Sequence, residues 1–152
     1  QTPENMHITL KFIGNVDPGL AREIDAALSE LPFEPFDLRV QGLGIFASAR
    51  KLRIFWAGVA DQPALHTLAN RVEKALLRLE ECPDMDMRKF NPHITLGRNR
   101  DAARATVEQA VADNIGLTSR SFTVDRFCLY ESHSTVDGPE FRVVAAYDGS
   151  NG

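Results

Sequence analysis

The tetrapeptide His-Ile-Thr-Leu occurs twice, at residues 7–10 and 93–96, and both copies lie in stretches where polar and apolar residues alternate. Alternation of period two is a strand signal, because successive side chains on a strand point to opposite faces. Each copy is entered from an Asn/Pro turn: Pro3-Glu4-Asn5 precedes the first, and Asn91-Pro92 the second. The duplication predicts a pseudo-symmetric pair of lobes, each giving one strand to a shared groove.

Between and around the copies, strand and helix signals are interleaved. Residues 6–13 read as a strand ended by Gly14-Asn15. Asp17-Pro18 is a helix start, an N-cap followed by proline at the first helical position. Leu20, Ile24, Leu28 and Leu31 then recur at helical spacing up to Pro32. Residues 36–43 and 52–59 read as strands joined by a loop from Gly44 to Lys51. Asp61 and Pro63 open a second helix, with Leu65, Leu68, Val72, Leu76 and Leu79 on its buried side, and Cys82 to Asp84 form a breaker. Residues 93–98 read as a strand, 101–115 as a third and less apolar helix, and 121–131 with 140–147 as a closing antiparallel pair. Hairpins mixed with helices, without strict βαβ units, indicate the α+β class. With no linker, low-complexity tract or charge block, residues 1–152 are expected to form one domain.

Composition narrows the function classes. The net charge of −4 argues against a broad nucleic-acid surface, which normally shows a basic excess. An enzyme that grips only a terminal phosphate needs two or three local donors, so any RNA footprint should be small. The apolar runs are far shorter than the roughly 20 residues of a membrane-spanning helix. A lone pair of cysteines, Cys82 and Cys128, suits reduced thiols in a cytoplasmic protein. A monomer without membrane association is expected.

Strand geometry says what the repeat can do. His7, Thr9 and Lys11 would share one face and Ile8, Leu10 and Phe12 the other, as would His93 and Thr95 against Ile94 and Leu96. Histidine and threonine then stand about 7 Å apart at Cα, from a rise of roughly 3.3 Å per residue. Two such strands side by side line a groove with two imidazoles and two hydroxyls. That set suits phosphodiester cleavage without a metal: one neutral imidazole takes a proton from water, and a protonated one gives a proton to the leaving oxygen. Histidine as a residue type can hold either role near neutral pH. Threonine hydroxyls can donate to the nonbridging phosphate oxygens where charge builds. Zinc sites want three or four closely spaced ligands, whereas here each histidine is joined by a threonine and neither cysteine is nearby, so no metal is expected. Glycine-rich phosphate loops and nucleophile elbows are absent, and no cofactor is expected.

The paired H-x-T motifs resemble those of the two-histidine (2H) phosphoesterases, the LigT-like fold. The run Pro3-Glu4-Asn5-Met6-His7-Ile8-Thr9-Leu10-Lys11-Phe12-Ile13-Gly14 is similar to the first motif of the bacterial and archaeal RNA 2′,3′-cyclic phosphodiesterases of the 2′–5′ RNA ligase family. Gly42-Leu43-Gly44-Ile45-Phe46, Phe55-Trp56-Ala57-Gly58-Val59, Phe90 to Arg98 and Leu129-Tyr130-Glu131-Ser132 follow in the family's order. The resemblance implies a two-lobed α+β fold, with pseudo-symmetric antiparallel sheets lining a central groove and helices packed outside. It implies His7, Thr9, His93 and Thr95 as the catalytic quartet, Arg98 as a phosphate ligand, and Phe46, on the loop after Gly44, as a surface for a base. It implies hydrolysis of an RNA terminal 2′,3′-cyclic phosphate to a 2′-phosphate, with reversible joining of RNA ends, tRNA halves among them, through 2′–5′ linkages. The family's strand and helix ahead of the first motif are not seen in this chain, which starts at Gln1.

Each of these residues also has a plainer reading. Thr9 and Thr95 also suit strands by propensity, and Arg98 also reads as a solvated charge at a strand end. Strict alternation puts Arg98 on the Ile94/Leu96 face, away from the histidines, unless the strand ends or bulges near Gly97. Lys11 reads as an edge-protecting charge, Trp56 as core, and His66 and His133 as incidental. The competing functions are a cyclic phosphodiesterase acting on a small nucleotide and a non-catalytic module that binds RNA ends or nucleotides.

Overall fold

Both expected leucine stripes become helices. In the computed structural model, which describes residues 7–47, 53–99, 121–136 and 138–149, helix α1 spans Pro18–Ser29 and α2 spans Pro63–Leu77. The side chains of residues 45–47, 53, 54 and 96–99 fall outside that description, as does the expected helix at 101–115. Asp17 caps α1 as the sequence predicts: its backbone is extended, and its carboxylate accepts a hydrogen bond from the Leu20 amide at 2.8 Å. This satisfies one of the amides a helix start leaves without an intrahelical partner. Helix α1 buries Leu20, Ile24 and Leu28, and α2 buries Leu65, Leu68, Ala69, Val72 and Leu76. Leu31 and Leu79 lie just past the helix ends and pack partly buried against the same core.

The chain divides into two compact units, one made of Leu10–Phe36, Pro63–Phe90 and Thr123–Gly152. Its core joins both helices to Met85, Phe127 and Tyr147, with Ile24 and Leu76 the most deeply buried side chains. Phe127 and Tyr147 come from a hairpin of β6 (Arg126–Thr135) and β7 (Gly138–Asp148), and their ring centroids are 4.9 Å apart. The Tyr147 hydroxyl donates to the Asp25 carboxylate of α1 at 2.6 Å. Burial, and then that carboxylate, push the Tyr147 phenol well above its ordinary pKa.

The second unit comprises Gln1–Thr9, Asp37–Gln62 and Asn91–Phe122. Its centre is an antiparallel sheet in the order β2 (Val40–Ala47), β3 (Arg53–Val59), β4 (His93–Asn99). Two three-residue strands, β1 (Phe36–Leu38) and β5 (Phe122–Val124), form a separate sheet. The expected strand at 36–43 is therefore broken at Arg39, whose carbonyl accepts from the Ala60 amide at 2.8 Å. The expected loop from Gly44 shrinks as well, since Gly44, Ile45 and Phe46 pair with Trp56, Phe55 and Ile54. Apolar, β-favouring residues facing each other across a ladder outweigh the turn signal of the glycines.

One expectation about the first H-x-T segment is overturned. Residues 6–13 do not make a strand in their described part: Ile8 forms one isolated antiparallel bridge with Ile94, and no ladder continues beyond it. From Leu10 onward the period changes, because Leu10 and Ile13, three residues apart, both pack on the helical core while Phe12 stays 58 % exposed. His7, Thr9, His93 and Thr95 all fall in the second unit.

Candidate active site

The bridge between Ile8 and Ile94 sets the geometry of the quartet. In an antiparallel pair, one step along each strand from Ile8–Ile94 places His7 across from Thr95 and Thr9 across from His93. The isoleucines take one face of the sheet and the four polar side chains take the other. Directly opposed residues hold their Cβ atoms roughly 4.5–5.5 Å apart. Each imidazole thus stands beside a hydroxyl from the other copy of the motif, as well as one two residues along its own chain. His7, His93 and Thr95 are half-buried and Thr9 is exposed.

The turn that enters β4 fixes the proton pattern of one histidine. His93 Nδ1 lies 2.8 Å from the Asn91 carbonyl oxygen. A carbonyl can only accept, so in this ring orientation Nδ1 carries the proton and donates. Pro92 holds the intervening backbone, fixing its own φ and biasing Asn91 toward extended conformations.

A bulge in β4 decides where position 98 falls. Thr95 pairs with Trp56, Gly97 with Phe55 and Arg98 with Ile54, so Leu96 is the extra residue. Trp56 and Ile54 share a face of β3, and their partners Thr95 and Arg98 must share it too. Strict alternation would have put Arg98 on the opposite face; the inserted Leu96 reverses the phase and returns position 98 to the face of His93 and Thr95. Phe46 sits in β2 opposite Ile54, on that same face by register, and not on a loop. The side chains of both Arg98 and Phe46 lie outside the described residues.

Trp56 belongs to this face as well, where the sequence had suggested core. Its neighbour Ala57, 3 % exposed, is the buried one. The indole lies over Gly44, where an added Cβ would meet indole carbons Cζ2, Cε2 and Cη2 at 2.0, 2.3 and 2.5 Å. It also stands edge-on to His93, with ring centroids 6.4 Å apart. Alternation along Phe55-Trp56-Ala57-Gly58 puts Trp56 and Ala57 on opposite faces but does not say which of them is buried.

Other singled-out residues have structural partners. Lys11 is not a groove charge: its ammonium pairs with Glu73 of α2 at 3.1 Å, with the lysine side chain 9 % exposed. His66 packs edge-on to Phe90 at 5.3 Å, and His133 Nε2 lies 3.3 Å from the Glu131 carboxylate. Cys82 and Cys128 are both unbridged thiols. Among the described residues, no helix is long and apolar enough to cross a membrane, and no group of three or more His, Cys, Asp or Glu could hold a metal ion.

The sequence model of the 2′-5′ RNA ligase superfamily matches residues 3–135 of this chain. The RNA 2′,3′-cyclic phosphodiesterase of Archaeoglobus fulgidus is 35% identical over 150 residues, spanning 96% of this chain and 81% of that protein. Among solved structures, TT0787 of Thermus thermophilus superposes with a TM-score of 0.73 at 24% identity, covering 97% of this chain and 80% of that one. LigT of E. coli, complexed with 3′-AMP, superposes with a TM-score of 0.70 at 22% identity, covering 97% and 78%. The chain belongs to the 2′-5′ RNA ligase superfamily, and its α+β fold is LigT-like.

Proposed function

We propose that this chain hydrolyses the 2′,3′-cyclic phosphate at an RNA end to a 2′-phosphate, without a metal, by general acid–base catalysis between His7 and His93. The observation that carries the reading is the face on which each histidine stands across from the other motif's threonine. It is supported by the likeness to the Archaeoglobus fulgidus enzyme and by the complex of E. coli LigT with 3′-AMP.

The reaction balances on the residues of this face. One imidazole, neutral, accepts a proton from water as the oxygen bonds to phosphorus. The P–O3′ bond breaks, and the second imidazole, protonated, delivers its proton to O3′. The product keeps the phosphate on O2′, and the two histidines have exchanged protonation states. Thr9 and Thr95 donate to the nonbridging oxygens, where preorganised donors stabilise the charge of the transition state. At His93 the working atom is Nε2 in either charge state, because Nδ1 is held by Asn91. Arg98 adds a charge-assisted contact to the phosphate, and Phe46 offers a face to a base. An RNA 5′-hydroxyl in place of water gives the 2′–5′ linkage by the same proton transfers, so ligation belongs to the same site. With a net charge of −4, binding is confined to the terminal nucleotides. The unbridged Cys82 and Cys128 support a reducing, cytoplasmic setting.

The test is product identity. An oligoribonucleotide ending in a 2′,3′-cyclic phosphate, followed by phosphorus NMR, should give the 2′-monophosphate end alone. A 3′-monophosphate product would contradict the assignment of O3′ as leaving group, and equal turnover of cyclic mononucleotides would move the substrate to small molecules.

A further inference from the structure

We propose that Trp56 is a positioning residue for His93, and that Gly44 is small because the indole must occupy the space over it. The proposal rests on His93 being one of the two proton-transferring groups. An imidazole on a strand has a broad, roughly two-fold χ2 preference, so nothing intrinsic selects one ring orientation. Two contacts select it here. The Asn91 carbonyl accepts from Nδ1 at 2.8 Å, and the indole closes on the ring from β3 with centroids 6.4 Å apart at 65°.

The placement of the indole is built into the register. Gly58 lies directly across from His93 and presents no side chain, while Trp56 lies across from Thr95. The diagonal neighbour on β3 is thus the large side chain beside the imidazole. On its other side the indole covers Gly44 of β2, the residue directly opposite it, where any Cβ would sit 2.0 Å from the ring. A Cβ at Gly58 would lie 2.6 Å from the Gln41 carbonyl oxygen and 3.5 Å from indole Cζ3. Gly44 therefore leaves room that the indole uses, whereas at Gly58 it is the Gln41 backbone that bars a side chain, and the ring is set from the sheet. Holding a base or acid within a small angle of its productive orientation acts on the chemical step, because misplacement by about 1 Å can cost on the order of a hundredfold in rate.

The test combines kinetics with imidazole nitrogen NMR on Trp56→Leu, Trp56→Phe and Gly44→Ala, each checked for folding by thermal melting. In the wild type, neutral His93 should be the Nδ1–H tautomer. In Trp56→Leu it should become a mixture of tautomers, with kcat lower by roughly ten- to a hundredfold and KM within about twofold of wild type. Trp56→Phe, which keeps an aromatic edge beside the ring, should restore most of both. Gly44→Ala retains the indole but fills the notch beneath it, and should give the same tautomer mixture as Trp56→Leu. A folded Trp56→Leu protein with wild-type kcat, or with a single Nδ1–H tautomer at His93, overturns the proposal; if that variant does not fold, Gly44→Ala decides by the same criteria. The tautomer is read without substrate, so a failure of the hydrolase reading would leave it standing or falling on its own.

Discussion

At the residue scale, the proposed mechanism treats the quartet as two crossed pairs. The Ile8–Ile94 bridge sets His7 opposite Thr95 and His93 opposite Thr9, and the proposal seats the phosphate between them. Thr9→Val and Thr95→Val should each lower kcat about ten- to a thousandfold, because each removes one donor to the developing charge; steady-state kinetics check this. Tyr147 makes a residue-scale prediction for stability. Its phenol is raised by burial and by Asp25, so the fold favours the protonated form. The contribution is complete below the ordinary tyrosine value of about 10 and is lost as pH rises beyond it. Urea unfolding should show a decline above about pH 10 that is shallower in Tyr147→Phe, which at neutral pH loses about 1–2 kcal/mol with its hydrogen bond. The histidines and threonines of the proposed quartet stood out in the sequence because they came as a repeat. The side of the sheet at Trp56 was not legible, because a lone tryptophan in an apolar strand carries no mark of which face is buried until Ala57 is seen to take the interior.

At the scale of elements, the helices were the most readable part. Asp17-Pro18 and the two leucine stripes are local signals, and α1 and α2 follow them within a residue or two. Asp17→Ala should cost about 1 kcal/mol through loss of the cap, and Leu76→Ala about 2–5 kcal/mol through the cavity left in the core; chemical denaturation separates the two. The strands were read less well, for a physical reason: where a strand ends depends on what it pairs with. The segment at 6–13 alternates as a strand should, yet Leu10 and Ile13 are drawn to the helical core and the pairing stops at one bridge. The bulge at Leu96 is of the same kind. Gly97 hinted that one was possible, but only pairing with Phe55 and Ile54 shows the change of phase that returns Arg98 to the histidine face. Arg98→Ala should therefore raise KM for the cyclic-phosphate end by more than it lowers kcat, as expected for a contact made in both ground and transition states.

At the scale of the whole molecule, the proposed catalytic residues lie within one compact unit and the helical core within the other. The net charge of −4 also belongs to this scale. If one or two phosphates are gripped, KM should rise only roughly three- to sevenfold between 50 and 200 mM salt, given a slope near 0.7 per phosphate for single strands. A steeper dependence would require an extended RNA path.

The most direct test of the central claim is turnover of a 2′,3′-cyclic-phosphate-ended oligoribonucleotide by wild type, His7→Ala and His93→Ala, with EDTA present throughout. The account predicts full wild-type activity in EDTA, a bell-shaped pH–rate profile, and a loss on the order of a hundred- to ten-thousandfold in each variant. Activity lost to EDTA, or retained by either histidine variant, would contradict it.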